Sequence, residues 1–154
     1  MNNYNSCDIM FIVDVKLALL ADYANITREG KLNVMGIFAD INAPILPWIH
    51  PQLQIVLQLE ASAAEWDTEK NIEIKLLDKD AKQIICISGN LKIPRGQPGR
   101  RVNINSQMVF NNLKFETTGD YVFAVLIGGE TKQEIPLKVN YVPQPQQPPP
   151  SPHD

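Results

Sequence analysis

The chain has 154 residues, a net charge of −3 and 44% hydrophobic residues, which suits one globular domain with its own core. This charge offers no overall attraction to nucleic acid or to an anionic membrane, so the sequence predicts neither as a partner. The two cysteines, Cys7 and Cys86, make no disulfide framework, and we expect Cys86 to be a small buried side chain.

The first residues lack the features of a targeting segment. No basic region precedes Ile9, and the apolar run of residues 9–13 ends at Asp14 and Lys16. A secretory signal or a membrane span needs a longer apolar run. We therefore expect a flexible N-terminus over residues 1–8 and a cytoplasmic protein.

Eight segments have the patterns of β-strands. Four alternate between apolar and polar residues with a period of two, which is typical of half-buried antiparallel strands. The other four are more apolar on both faces, as central or covered strands are. Together they predict an all-β fold, an antiparallel β-sandwich of about eight strands over residues 9–142 with an immunoglobulin-like or Greek-key topology. In chain order the segments are 13–23, 31–41, 53–60, 71–78, 83–93, 101–110, 120–129 and 134–141.

Glycine and proline mark the turns and irregular positions of this pattern. Gly30 and residues 128–133 predict turns between strands. Gly36 predicts a bulge or a close backbone approach, and Pro136 predicts an edge strand, where a missing N–H costs little. The one helical piece is a single turn within residues 61–69.

The connector NAPILPWIHPQ, residues 42–52, is apolar where most connectors are polar. Its three prolines argue against a helix or a central strand, and Pro47 or one of its neighbours would suit a cis bond in a tight turn, although base rates favour trans. The favoured interpretation is a buried crossover whose large apolar side chains plug the open end of the sandwich. The alternative is an exposed surface for a partner. For that alternative the candidate partner-binding residues are Ile45, Trp48, Ile49 and His50.

Residues 113–129 are typical of a tyrosine corner, a motif of Greek-key sandwiches. A polar turn leads into Gly-Asp-Tyr at the start of an alternating strand. Tyr121 would tie the crossing loop to the strand, and Gly119 would permit the turn.

No phosphate-binding loop, dinucleotide fingerprint, nucleophile elbow or set of metal ligands stands in the sequence. We therefore assign no catalytic residue, no cofactor and no metal, and a hydrolytic triad would have to use His50. The loop 93–101 concentrates positive charge, and a solvated loop is its favoured interpretation. The alternative is that this loop binds a phosphate or an acidic partner. The candidate anion-binding residues are then Arg95, Arg100 and Arg101.

Residues 143–154 contain six prolines and no large hydrophobic residue. We expect a disordered, proline-rich tail. Its P-x-x-P spacings would suit docking into an aromatic groove of a partner. The favoured interpretation, however, is a passive solubilising tail.

Residues 17–60 combine an apolar first strand, a glycine turn, a second strand of the form KLN-hydrophobic-x-G-x-F-x-x-I, a proline-rich connector and a strongly alternating strand. This pattern resembles a bacterial family of unknown function. The likeness extends more loosely to about residue 142 and leaves out the tail. It implies a small cytoplasmic β-sandwich and brings no activity. The matching positions are Lys31, Leu32, Asn33, Gly36, Phe38, Ile41, Pro47 and Pro51.

These observations favour a non-catalytic binding or accessory module that acts through protein–protein contact, with an unknown protein partner or a second copy of the chain. The alternative is an enzyme or a small-ligand binder with a site between the loops of the sandwich. Convergent buried polar groups in a pocket would favour the alternative, and a flat apolar surface would favour the first.

Overall fold

A computed structural model describes residues 13–145. The predicted flexible segment 1–8 and most of the predicted tail lie outside these residues, and the short stretch 143–145 is exposed without regular structure. The described part of the chain is all-β, with nine strands and no α-helix. The strands are β1 (Val13–Ile26), β2 (Leu32–Phe38), β3 (Asp40–Ala43), β4 (Trp48–Ala61), β5 (Glu69–Leu77), β6 (Gln83–Lys92), β7 (Val102–Phe115), β8 (Gly119–Ile127) and β9 (Glu130–Tyr141).

The strands form two sheets that pack on one shared core. The first sheet has the order β2-β1-β4-β7, and the second has the order β3-β9-β8-β5-β6. All pairs are antiparallel except β3 with β9, which run parallel. Alternate residues of β4 from Leu53 to Leu59 point into the core and meet side chains such as Phe123 of the second sheet. The prediction of a two-sheet, all-β fold is confirmed.

The predicted strand 31–41 is two strands in different sheets. β2 ends at Phe38 and β3 begins at Asp40, so the chain crosses from one sheet to the other at Ala39. Gly36 has a φ of +69°, a conformation that favours glycine. A Cβ built there would lie 2.9 Å from the Cγ of Asp22 on β1. The predicted close approach at Gly36 is confirmed.

β4 begins inside the proline-rich connector. Pro51 lies within β4, and β4 has a neighbour on each side over most of its length but not at this residue. β1 pairs with β4 only as far as Gln54. The missing N–H of Pro51 therefore falls where β4 has β7 as its sole neighbour, and a local edge tolerates proline. The Leu46–Pro47 bond is cis, against the base-rate expectation.

β1 turns away from β4 after this point, and the β1–β2 hairpin folds over the outer face of the first sheet. The side chain of Gln54 accepts a hydrogen bond from the backbone N–H of Ala24 at 3.1 Å. The carbonyl of Gly30 in the hairpin turn accepts one from Asn105 of β7 at 2.8 Å. Since β4 lies between β1 and β7 in the sheet, the hairpin must cross it. A gap remains between β1 and the first residues of β4.

Three smaller expectations concern single positions along the chain. The helical piece is one 3-10 turn, Ala63–Glu65, as predicted. Pro136 lies in a strand that has partners on both sides, but β3 pairs only with residues 138–141, so proline again sits at a local edge. The prediction that Cys86 is buried is wrong, because Cys86 lies on the outer strand β6 and is exposed.

Candidate functional site

A pocket of about 240 Å³ opens in the gap between β1 and the start of β4. It forms where four strands of both sheets come together, at the place where the chain crosses from β2 to β3. Two of the four candidate partner-binding residues from the sequence line it. The complete lining is Asp22, Phe38, Asp40, Ile41, Asn42, Trp48 and His50.

Trp48 and His50, which both line this pocket, carry unpartnered polar atoms. Trp48 is half-buried and packs against the core, and its indole Nε1 is buried without a hydrogen-bond partner in the described part of the chain. The same holds for both ring nitrogens of His50. The His50 ring lies beside that of Phe38, with 6.0 Å between ring centroids. Because buried polar groups in proteins are nearly always hydrogen-bonded, such a cluster at an open pocket indicates a binding position.

Burial lowers the pKa of His50 below its usual value of 6.5. A contact between the His50 ring and the backbone of Gln52, which falls short of full hydrogen-bond geometry, and the carboxylate of Asp22 both raise the pKa and offset part of this effect. The imidazole is therefore neutral near pH 7, with one nitrogen that donates and one that accepts. A neutral histidine suits hydrogen bonding to a ligand better than ion pairing.

Two carboxylates, Asp22 and Asp40, stand at the pocket, and both side chains are exposed. Neither forms an ion pair with any residue between 13 and 145. Lys138 is the register partner of Asp40 on β9, but its ammonium group does not come within ion-pair distance. The amide oxygen of Asn42 is already used, since this Oδ1 accepts a hydrogen bond from Asn140 at 3.3 Å. The seven lining residues thus carry acidic and aromatic groups and no cation.

The other two candidate partner-binding residues are exposed beside the pocket. Ile45 and Ile49 are 63% and 53% exposed, and Leu46 is also exposed. The plug interpretation is wrong for these three side chains, and Trp48 alone packs against the core. Ile45 and Leu46 line a shallow depression of about 360 Å³ together with Tyr141, the last residue of β9. We call Ile45, Leu46, Tyr141 and the adjoining exposed Val142 the connector surface.

The candidate anion-binding arginines do not share one free site. The Nε of Arg95 donates to Asp67 at 2.8 Å, and the two residues form an ion pair. Arg101 pairs with Asp14 at 2.9 Å, and this contact raises the pKa of Arg101. Arg100 is exposed and has no ion pair in the stretch that the structure covers. Two of the three guanidinium groups are already neutralised, and the anion-binding role stays a prediction.

A larger cleft of about 470 Å³ lies between the β5–β6 and β7–β8 turns. Three of its seven charged side chains make local contacts within residues 13–145. Oδ1 of Asp78 accepts hydrogen bonds from two backbone N–H groups of its own turn, and Lys114 pairs with Glu116 at 2.8 Å. None of its lining residues carries a buried polar atom without a hydrogen-bond partner in the described part of the chain, which distinguishes this cleft from the pocket of Trp48 and His50.

Sequence reasoning missed five of the seven lining residues. Asp22 and Asp40 were visible as acidic residues inside apolar strand segments, which is a weak indication of a special position. They lie close to His50 because β1 turns away from β4 and because the chain changes sheets at Ala39. Neither feature produces a recognisable pattern in the local amino-acid sequence.

The described strands match a known family. The family of unknown function DUF6941 matches residues 16–140, so the chain belongs to that family. No curated protein matches the sequence. Among solved structures, the Pseudomonas fluorescens alkylpurine DNA glycosylase AlkC, bound to DNA containing an abasic site analog, is similar with a TM-score of 0.48 and 12% sequence identity. The match covers 83% of this chain, which spans 30% of the length of that protein.

The exclusion of nucleic acid that was drawn from the net charge is withdrawn. A net charge is a sum over the whole chain and does not describe any single surface. At this TM-score the likeness carries no argument about what this chain binds. A search of residues 13–145 for membrane-spanning helices finds none of sufficient length and apolarity.

Proposed function

We propose that this family member is a non-catalytic binding module that acts through protein–protein contact and takes a side chain of its partner into the pocket of Trp48 and His50. The observation that best supports this is the set of three ring nitrogens at the pocket that are buried and unpartnered within residues 13–145. A buried polar atom without a hydrogen bond raises the free energy of the folded protein. A bound group that supplies the missing partners recovers that cost.

The connector surface supports a macromolecular partner over a free small molecule. Tyr141 is 54% exposed, and its neighbours in this surface are apolar as well. Exposed apolar patches on soluble proteins mark interaction sites, and tyrosine is enriched in them. The pocket of about 240 Å³ is also smaller than the roughly 300–1,000 Å³ that drug-sized ligands occupy. It suits one side chain, presented by a partner that also covers the connector surface.

A random peptide library displayed against the full chain tests this proposal. The informative variant is Trp48→Phe, which keeps an aromatic ring against the core and removes the Nε1–H. Trp66→Phe is the matched control, because the Nε1 of Trp66 is also buried and unpartnered in the described residues but lies beyond the far end of β4.

We expect the library to yield peptides that bind the wild type and Trp66→Phe and lose affinity for Trp48→Phe. The expected loss is about tenfold, as for one hydrogen bond of about 1.4 kcal/mol. Peptides that bind all three proteins equally, or a library that yields no binder, would overturn the proposal.

We further propose that the sandwich is immunoglobulin-like and that the protein is cytoplasmic. The orders β1-β4-β7 and β9-β8-β5, together with a tyrosine corner at the start of β8, support the first. The exposed thiol of Cys86 is compatible with a reducing compartment and supports the second. Fractionation of cells that express the full chain, with antibody detection, tests the location.

A further inference from the structure

We infer that the partner group in this pocket is the cationic side chain of a lysine or arginine residue within a polypeptide, an inference that rests on the proposed function. The first argument is charge. Asp22 and Asp40 are the only ionised groups among the seven lining residues, and neither has an ion-pair partner between residues 13 and 145. An entering ammonium or guanidinium group meets two free carboxylates and no competing cation.

The aromatic rings add a second argument. Trp48 and Phe38 both line the pocket, and tryptophan is the side chain whose face attracts cations most strongly. The aliphatic stem of a lysine or arginine packs on such rings while its charged end reaches a carboxylate. The pocket thus offers an apolar wall for the stem and acidic groups for the head.

The unpartnered nitrogens indicate a polypeptide rather than a free amine. The Nε1–H of Trp48 and the donor nitrogen of neutral His50 both need an acceptor. An ammonium or guanidinium group only donates. A lysine or arginine residue within a peptide carries the cation on its side chain and acceptors on its backbone carbonyls, so one residue satisfies both demands.

Lys138 is a cation close to Asp40 in the strand register, and it is not among the lining residues of the pocket. It lies beside Asp40 on the neighbouring strand and also beside Asp120 on β8 in the register of the second sheet. Lys138 forms an ion pair with neither of them, and Asp22 has no basic register partner on β2. We therefore expect Asp22 to contribute more to cation binding than Asp40.

The test is an NMR titration of the full chain, read at the indole N–H resonances of Trp48 and Trp66. Four probes are compared: the methylamides of Nα-acetyl-lysine and Nα-acetyl-arginine, the methylamide of Nα-acetyl-norleucine, and butylammonium. Norleucine keeps the aliphatic stem and the carbonyls without the charge. Butylammonium keeps the charge and the stem without the carbonyls.

We expect the lysine or arginine probe to shift the Trp48 resonance in a saturable way while Trp66 stays unmoved, with about tenfold weaker binding of the other two probes. Higher salt weakens this binding, because the carboxylates are exposed. Asp22→Asn weakens it several-fold. Glu69→Gln, which removes an exposed carboxylate near the far end of the sandwich, changes the net charge equally and leaves the binding unchanged.

Each other outcome has a distinct meaning. Equal binding of the norleucine probe overturns the cationic assignment and leaves the proposed side-chain pocket in place. Equal binding of butylammonium overturns the polypeptide assignment. A Trp48 resonance that none of the probes moves overturns the inference as a whole, and the peptide library then decides separately whether the proposed function stands.

Discussion

The hydroxyl of Tyr121 donates a hydrogen bond to the backbone carbonyl of Thr117 at 2.8 Å. Gly119 lies between them with a φ of +132°, a conformation that other residues rarely adopt. The ring of Tyr121 is buried and packs edge-on against Phe115, with 5.1 Å between centroids. The tyrosine corner that the sequence predicts is formed, and it ties the β7–β8 turn to the first residues of β8.

We expect Tyr121→Phe to reduce the free energy of unfolding by about 0.5–1.5 kcal/mol, because it removes this hydrogen bond and keeps the buried ring. Urea denaturation followed by fluorescence measures the change. Tyr141→Phe is the control, since Tyr141 is exposed, and it is expected to change stability by less than about 0.5 kcal/mol. Equal effects of the two substitutions would contradict a stabilising role for the corner.

The sequence reached the all-β fold and the corner because both depend on local patterns. Alternation with a period of two requires only that one face of a strand is buried. The same pattern conceals the switch between β2 and β3, since Phe38 and Ile41 both contact the core although they lie in different sheets. Cys86 was misjudged for a related reason: its segment is apolar, but β6 is an outer strand, and no local pattern records that position.

Only two of the seven lining residues of the pocket were singled out from the sequence. The unusual composition of the connector drew attention to Trp48 and His50. Asp22 joins them through two long-range relationships, its contact with Gly36 and the loss of pairing between β1 and β4 beyond Gln54. Register between distant strands depends on the whole sandwich, so residues about 30 positions apart gave no joint pattern.

Gly36→Ala is expected to destabilise the protein more than Gly30→Ala. Both positions have a positive φ, which costs an alanine about 1–2 kcal/mol. At Gly30 a Cβ meets nothing within 4 Å, whereas at Gly36 it meets the side chain of Asp22 at 2.9 Å from Cγ. Thermal and urea denaturation of the two variants measure the difference. Equal losses would mean that Asp22 moves aside without cost.

The connector is expected to divide into stabilising and non-stabilising residues. Trp48→Ala should lower the free energy of unfolding by about 2–4 kcal/mol, somewhat below the cost of deleting a fully buried aromatic ring. Ile45→Ser, at an exposed position, should change it by less than about 0.5 kcal/mol. Urea denaturation of both variants tests this division. A large loss for Ile45→Ser would restore the plug interpretation.

The pKa of His50 makes the stability of the protein depend on pH. Burial lowers this pKa in the folded state, so the unfolded chain binds a proton more readily. The stability contributed by neutral His50 is therefore complete above the unfolded value of about 6.5 and declines as the pH falls from there to the lowered folded value. His50→Gln should remove this part of the pH dependence, measured as urea midpoints at about pH 7.5 and pH 5.5.

An NMR titration of the imidazole protons gives the pKa of His50 directly. We expect a value below 6.5 in the wild type and a lower one in Asp22→Asn, because the Asp22 carboxylate favours the protonated ring. Asp40→Asn provides the comparison, since Asp40 lines the same pocket but is not among the groups that shift this pKa. A wild-type pKa at or above 6.5 would mean that the ring is solvated, and the unpartnered nitrogens would then be satisfied by water rather than awaiting a partner.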